Sequence, residues 1–258
     1  MSLLTIQGLS KRFGGLQAVR DVTFEVREGT ITSLIGPNGA GKTTVFNLIT
    51  GIYRPDSGSI RFKGEELAGL RPHEVVERGI ARTFQTVRLF ANLTCFENVL
   101  AGQHCRSRAG VWASIIRTPG QRREEARVRA VARACLERVG LWAYRHQPAS
   151  SLAYGDRKRL EIARALATEP SLLILDEPAG GLNESESQDL MELILAIRAS
   201  GVTILLIEHD MRVVMGISDE VTVLEQGRVI ARGSPEEVQR APQVIEAYLG
   251  RSEEEALI

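Results

Sequence analysis

Cysteine is scarce: Cys95, Cys105 and Cys135 are the only three in 258 residues, and no CxxC pair occurs. An odd, scattered set excludes a disulfide framework or a cysteine zinc site as the organising feature, and a reducing compartment is expected. Long apolar runs are missing as well. The longest candidates, such as Val202 to Ile207, are strand-sized and far short of the ~18 residues that span a bilayer. The opening MSLLTIQGLSKRFGG lacks a basic start followed by an apolar stretch, so no signal peptide is expected. Net charge is absent too. The 32 Lys and Arg balance 32 Asp and Glu, which argues against the whole molecule being an electrostatic nucleic-acid binder. Internal repeats, long linkers and low-complexity segments are likewise lacking.

What remains is ordinary globular material, 43% hydrophobic and 25% charged. That composition supports a sizeable core, and the length suits one large domain or a core with a subdomain. The neutral total hides a segregation. Residues 106–164 hold 14 Lys and Arg against 5 Asp and Glu, a balance of +9, and the rest of the chain carries −9. Such a segment reads either as solvated helix faces or as a surface for anionic lipid or an acidic partner.

Strand-like runs at Leu3–Leu9, Val22–Val26 and Ile31–Ile35 are separated by glycine-containing turns. A Gly-rich loop and a helical pattern over Thr43–Thr50 follow at once, giving strand, loop, helix. A short strand at Ile60–Phe62, a helix over 71–78 and an extended run Ile80–Phe84 come next. In Gln121–Val139 the apolar positions Val128, Val131, Ala132, Cys135, Leu136 and Val139 mark an amphipathic helix, and Asp156–Thr168 reads as a second. Alternation then returns. Strand Leu172–Leu175, a helix from about Glu184 to Ala199, strand Val202–Ile207, short strands Val221–Leu224 and Val229–Ala231, and terminal helices follow. The pattern predicts an α/β fold, a mostly parallel sheet with a helical insert.

Gly36-Pro37-Asn38-Gly39-Ala40-Gly41-Lys42-Thr43 matches GxxxxGK[ST] in full. The glycines let successive backbone N–H groups face phosphate oxygens, and the following helix points its positive end at the same place. Lys42 is expected to reach the β- and γ-phosphates, and the Thr43 hydroxyl to bind Mg²⁺. Leu172-Leu-Ile-Leu-Asp-Glu177 supplies the partner strand, with two carboxylates delivered to the sheet edge where α/β proteins bind ligands. Asp176 is expected to hold the metal and Glu177 to polarise the attacking water. Val202–Ile207 ends in Glu208-His209-Asp210 at the same edge, which makes His209 a candidate γ-phosphate contact. Gln85, just past Ile80–Phe84, is a candidate sensor of Mg²⁺ and the attacking water. A GTPase is disfavoured because NKxD is absent. A repair or chromosome ATPase is disfavoured because the insert is too short for a coiled coil and the cysteines are wrong for zinc. A non-enzymatic binding module is disfavoured by Glu177 and His209 together.

With its phosphate loop at 36–43, Gln85, a segment at 152–156, ILDEP at 174–178 and His209, the chain resembles the ATP-binding cassettes of ABC transporters over essentially its full length. The resemblance implies a P-loop NTPase core with an antiparallel β subdomain and an α-helical subdomain at about 88–168, all within one cassette. It implies ATP and Mg²⁺ as ligands, adenine stacked on Phe13, nucleotide contacts from Gly36 through Thr43 and Thr44, metal contacts from Thr43, Gln85 and Asp176, and catalysis by Glu177, His209 and Gln85. The signature Leu152-Ala153-Tyr154-Gly155-Asp156 departs from the family's LSGGQ. Ala153 removes the serine hydroxyl that in the family bonds the γ-phosphate held by the opposite subunit, leaving Gly155 and the helix start for that job. Gly181-Leu182-Asn183 replaces the usual Leu-Asp ending with a neutral polar group.

LAYGDRKRLEIARAL, EPAGGLN, ARTFQTVRLFANLTCFENVL, IEHDMRVVMGISD and VIEAYLG resemble the cassettes of bacterial branched-chain and hydrophobic amino-acid importers, as does the enlarged segment 102–150. That branch implies a second cassette (identical or paralogous), two permeases, a substrate-binding protein and a peripheral place on the cytoplasmic face of the plasma membrane. The alternative is the cassette of a lipid transporter or another exporter with the same ATP chemistry. His73, His104 and His146 are read as surface or loop residues, Trp112 and Trp142 as packing residues, and Glu253–Glu255 as a solvated tail.

Overall fold

The computed structural model describes residues 1–103 and 119–249. Strands β1 (Ser2–Phe13) and β2 (Leu16–Arg27) form a hairpin through Gly14-Gly15, with Phe13 opposite Leu16. β4 (Ser57–Phe62) and β5 (Glu65–Glu66) complete an antiparallel sheet of order β2-β1-β4-β5. The second sheet has the order β10-β9-β3-β8-β7-β6. Its strands are β3 (Ile31–Ile35), β6 (Ile80–Arg82), β7 (Leu172–Asp176), β8 (Thr203–Ile207), β9 (Glu220–Glu225) and β10 (Arg228–Gly233). All its pairings are parallel except β10 with β9.

The period of two along β7 and β8 builds two layers of core. Leu173, Leu175, Ile204 and Leu206 face a cluster shared with the helices, whereas Leu172, Ile174, Leu205 and Ile207 face the antiparallel sheet. Both faces are covered, which is why these strands are apolar throughout. On the helical side lie α3 (Cys95–Gly102), α4 (Pro119–Arg138), α5 (Tyr154–Leu166) and α6 (Glu184–Ala199). Ala132, Cys135, Leu136 and Val139 are buried as the amphipathic spacing predicts. α1 (Lys42–Ile49) packs between the sheets through Val45, Phe46 and Ile49, and α2 (Pro72–Glu77) adds Val75 to the same cluster. α7 (Met211–Ile217), α8 (Pro235–Gln239) and α9 (Pro242–Leu249) close a third cluster with Ile35, Val221 and Val223.

The element order expected from sequence is present, with four informative differences. The extended run at Ile80 leaves the sheet after Arg82, where the Thr83 N–H makes a last bond to the Ile174 carbonyl. α5 starts at Tyr154, two residues before Asp156, because extended Ala153 already accepts from the Arg157 N–H at 3.0 Å. β1 runs on to Phe13 through irregular register, including one shift between Ile6 and Leu9. α3 was not anticipated. Among the described residues no helix is long and apolar enough to cross a membrane. His73 and His146 are exposed, and Trp142 packs edge-on to Phe96 with ring centroids 6.1 Å apart. Cys105, His104, Trp112, Glu253–Glu255 and residues 106–118 of the basic segment lie outside the described residues.

Candidate nucleotide site

The phosphate loop leaves β3 at Ile35 and enters α1 at Lys42, and its path is fixed by close packing. A Cβ on Gly36, which has φ 147°, would overlap the Leu224 carbonyl, and one on Gly41 (φ 103°) would stand 2.5 Å from the Ala18 oxygen. Only glycine fits at either position. Lys42 is buried, and its Nζ donates to the carbonyl oxygens of Gly36 at 2.6 Å and Pro37 at 3.0 Å. Those neutral acceptors are weaker partners for an ammonium than a phosphate oxygen, so the loop is shaped for an anion. A cleft of about 610 Å³ opens here, lined by Phe13, Asn38 through Thr44, Gln85 and Glu177 among others. Phe13, 40% exposed, meets Tyr53 edge-on at 5.1 Å and offers a ring at the rim.

The end of β7 gathers the polar residues. Gln85 Nε2 donates to Glu177 Oε2 at 2.8 Å, and His209 Nδ1 stands 3.9 Å from the same oxygen. Glu177 holds a left-handed backbone at φ 48°, unusual for a side chain of its kind. Its N–H bonds the Ile207 carbonyl at 2.9 Å, and its carbonyl accepts from Lys158 Nζ at 2.8 Å. The strand end and α5 thus hold this residue from two sides. Asp176 does not line this cleft; it is buried and paired with Arg82 at 2.6 Å. Thr43, Gln85 and Asp176 supply hydroxyl, amide and carboxylate oxygen, the donor set of a hard divalent cation.

An ABC transporter model matches residues 19–180. The chain belongs to the ATP-binding cassettes of ABC transporters. A second model, branched-chain amino acid ATP-binding cassette transporter, matches residues 228–254. The high-affinity branched-chain amino acid transport ATP-binding protein LivG of Salmonella typhimurium is 50% identical, over 97% of this chain and 98% of its own length. The lipopolysaccharide export system ATP-binding protein LptB of Haemophilus influenzae is 35% identical, over 97% of this chain and 98% of its own. Among solved structures, the ADP conformation of an ATP-binding cassette is 33% identical, with a TM-score of 0.85, covering 97% of this chain and 99% of that one. The family is one of ATP-hydrolysing subunits, and the two-sheet α/β architecture expected of it is present.

In this cassette the signature lies outside the phosphate-loop cleft, beside a separate cavity of about 160 Å³ lined by Ala153, Gly155, Asp156, Leu182 and Glu186 among others. Leu152 is buried, whereas Tyr154 is 44% exposed. Asn183 does keep a polar contact: its side chain accepts from the Glu186 N–H at 2.9 Å and caps α6. Three residues missed in the sequence complete the region. Glu208 is fully buried and accepts from the backbone N–H groups of Ala179 (2.8 Å), His209 (2.9 Å) and Asp210 (3.3 Å), joining the turns after β7 and β8. Burial pushes the Lys158 ammonium below its ordinary pKa, against the opposing pull of Glu208, Glu161 and Glu177. Arg82 is the third. Its place in ARTFQ, just ahead of Gln85, was the available signal.

Proposed function

We propose that this cassette is the ATP-hydrolysing subunit of an importer of branched-chain and other hydrophobic amino acids. The identity of 50% to a branched-chain amino-acid transport protein over nearly the whole chain carries the reading, and the match at 228–254 supports it. The lipopolysaccharide-export relative, with 35% identity, represents the alternative cargo class.

In this reading Phe13 stacks on adenine, the N–H groups of residues 36–44 line the phosphates, and Lys42 leaves its loop carbonyls for the β- and γ-phosphate oxygens. Thr43, Gln85 and Asp176 would hold Mg²⁺, which when bound neutralises charge building on the phosphates. Glu177 orients the attacking water and takes up its proton, while Gln85 keeps the carboxylate in place through the 2.8 Å bond. His209 contacts the γ-phosphate from the other side. The work is mostly positioning and electrostatics. Leu152, Ala153, Tyr154, Gly155 and Asp156 complete the site of a second cassette, identical or paralogous. The helical region at about 88–168, acting as a subdomain with the Gln85 loop, passes closure to two permeases on the cytoplasmic face of the membrane, and a substrate-binding protein delivers the cargo. Nucleic acid has no part in this cycle.

The test is initial-rate uptake of labelled leucine in cells whose only copy carries Glu177→Gln. Leucine uptake is expected to fall at least about tenfold, with proline and glutamate uptake unchanged. Normal leucine uptake by a stably expressed variant overturns the cargo assignment.

A further inference from the structure

Arg82 is a buried cation bonded to Asp176, one residue of the proposed metal site. Its side chain, the last of β6, is only 6% exposed, and that of its partner Asp176 only 5%. Nη2 donates to Asp176 Oδ2 at 2.6 Å. Nη1 donates to Asn47 Oδ1 at 2.7 Å and to Thr50 Oγ1 at 3.3 Å, on α1 and at its C-terminal cap. The guanidinium carbon stands 5.6 Å from the centre of the Phe46 ring and 5.2 Å from that of Phe84. Nε is buried without a hydrogen-bond partner. One side chain thus joins the strand carrying Asp176, the helix that begins at Lys42 and the residue preceding Gln85.

Stability alone is a poor reason for this arrangement. A buried ion pair gains little over an apolar pair of the same volume, and an orphaned donor makes it worse. The contact is also single-pronged, although a guanidinium can grip both carboxylate oxygens. A carboxylate held in one orientation does explain it. The guanidinium pins Asp176 through one oxygen, and α1 holds the guanidinium in turn.

We propose that Arg82 is the positioning residue of the divalent-cation site: it fixes Asp176 through Oδ2, leaves Oδ1 for the cation or its water, and locks that carboxylate to the phosphate-loop helix. The proposal rests on the assignment of Asp176 above.

It is tested by titrating the purified full chain with a fluorescent ADP analogue, once with Mg²⁺ and once with EDTA, and taking the ratio of the two affinities. Removing a partner that orients a metal ligand weakens the metal-dependent affinity by about 10- to 100-fold. Arg82→Met is therefore expected to cut the ratio by about tenfold while its affinity in EDTA stays near that of the native chain. Arg82→Lys, which keeps the charge and loses the fork, is expected to fall between. If Arg82→Met does not fold, Arg82→Lys carries the test with the same ratio. A native ratio in these variants overturns the proposal. So does an equal loss in both conditions together with a lower thermal midpoint, since that is the mark of a purely structural pair. A native chain with no Mg²⁺ dependence is a different failure, because it removes the Asp176 assignment itself.

Discussion

The helices of this cassette begin in two ways. α3, α6, α7 and α8 each start on a side-chain oxygen of their own: Thr94, Asn183, Asp210 and Ser234 accept from the N–H groups of Glu97, Glu186, Arg212 and Glu237. α1 and α5 do not. Their caps are Gly41 and Ala153, and neither makes a side-chain capping bond; nor does Arg71 at the start of α2, where Pro72 opens the helix and Glu74 accepts from the Arg71 N–H at 2.7 Å. A helix start has four N–H groups without intrahelical partners, and a chain that omits its own cap leaves them to water or to an arriving anion. Of these uncapped helices, α1 and α5 start after the phosphate loop and after the signature, the two places where the proposed cycle brings a phosphate. The capped starts serve architecture.

The comparison can be broken most decisively at α1. Lys42→Ala removes the buried ammonium while leaving the loop glycines in place, and nucleotide affinity is expected to drop by at least about a hundredfold, as befits a desolvated charge-assisted contact. Equilibrium binding of a fluorescent ATP analogue reads it, and a drop under tenfold would mean that the backbone cradle holds the nucleotide without the lysine. A smaller effect is expected at a capped start. Asn183→Ala should destabilise the chain by about 1 kcal/mol through loss of the α6 cap, seen as a lower urea midpoint with unchanged slope. The smallest is a gain. Ala153→Ser gives α5 the cap it lacks and should raise stability by about 0.5 kcal/mol in the nucleotide-free chain. A midpoint that does not move would show that the α5 start is already satisfied within the fold.

What could be read in advance follows the same division between local and distant. The phosphate loop and the 172–177 strand are contiguous, so residue types at fixed spacing convey both the element and its chemistry. α3 was also legible in principle, since Thr94-Cys-Phe-Glu97 is a capping box, now seen with Glu97 Oε2 accepting from the Thr94 N–H at 2.8 Å. β5, with two residues, has no period to detect. The far end of β1 was hidden because Ser10, Lys11 and Arg12 break the apolar alternation and the register shifts around them. Arg82, Lys158 and Glu208 escaped for another reason. Each bonds a partner 19 or more residues away, and no local pattern says that a charged residue beside a turn will be buried against a distant backbone or carboxylate. Gln85 stood out by its place just past an extended run and again by resemblance, and its bond to Glu177 supplies a physical reason that spacing could not.

The backbone of Glu177 has a bearing on how such a protein can change over generations. At φ 48° a residue with a Cβ is held in a region that glycine occupies freely, and the surrounding bonds to Ile207 and Lys158 keep it there. Random substitution towards glycine at this position would relax the chain and erase the carboxylate in the same step. On the catalytic role proposed for Glu177, selection for a sturdier molecule and selection for a working one pull in opposite directions at a single codon, and the glutamate is expected to persist only while turnover is under selection.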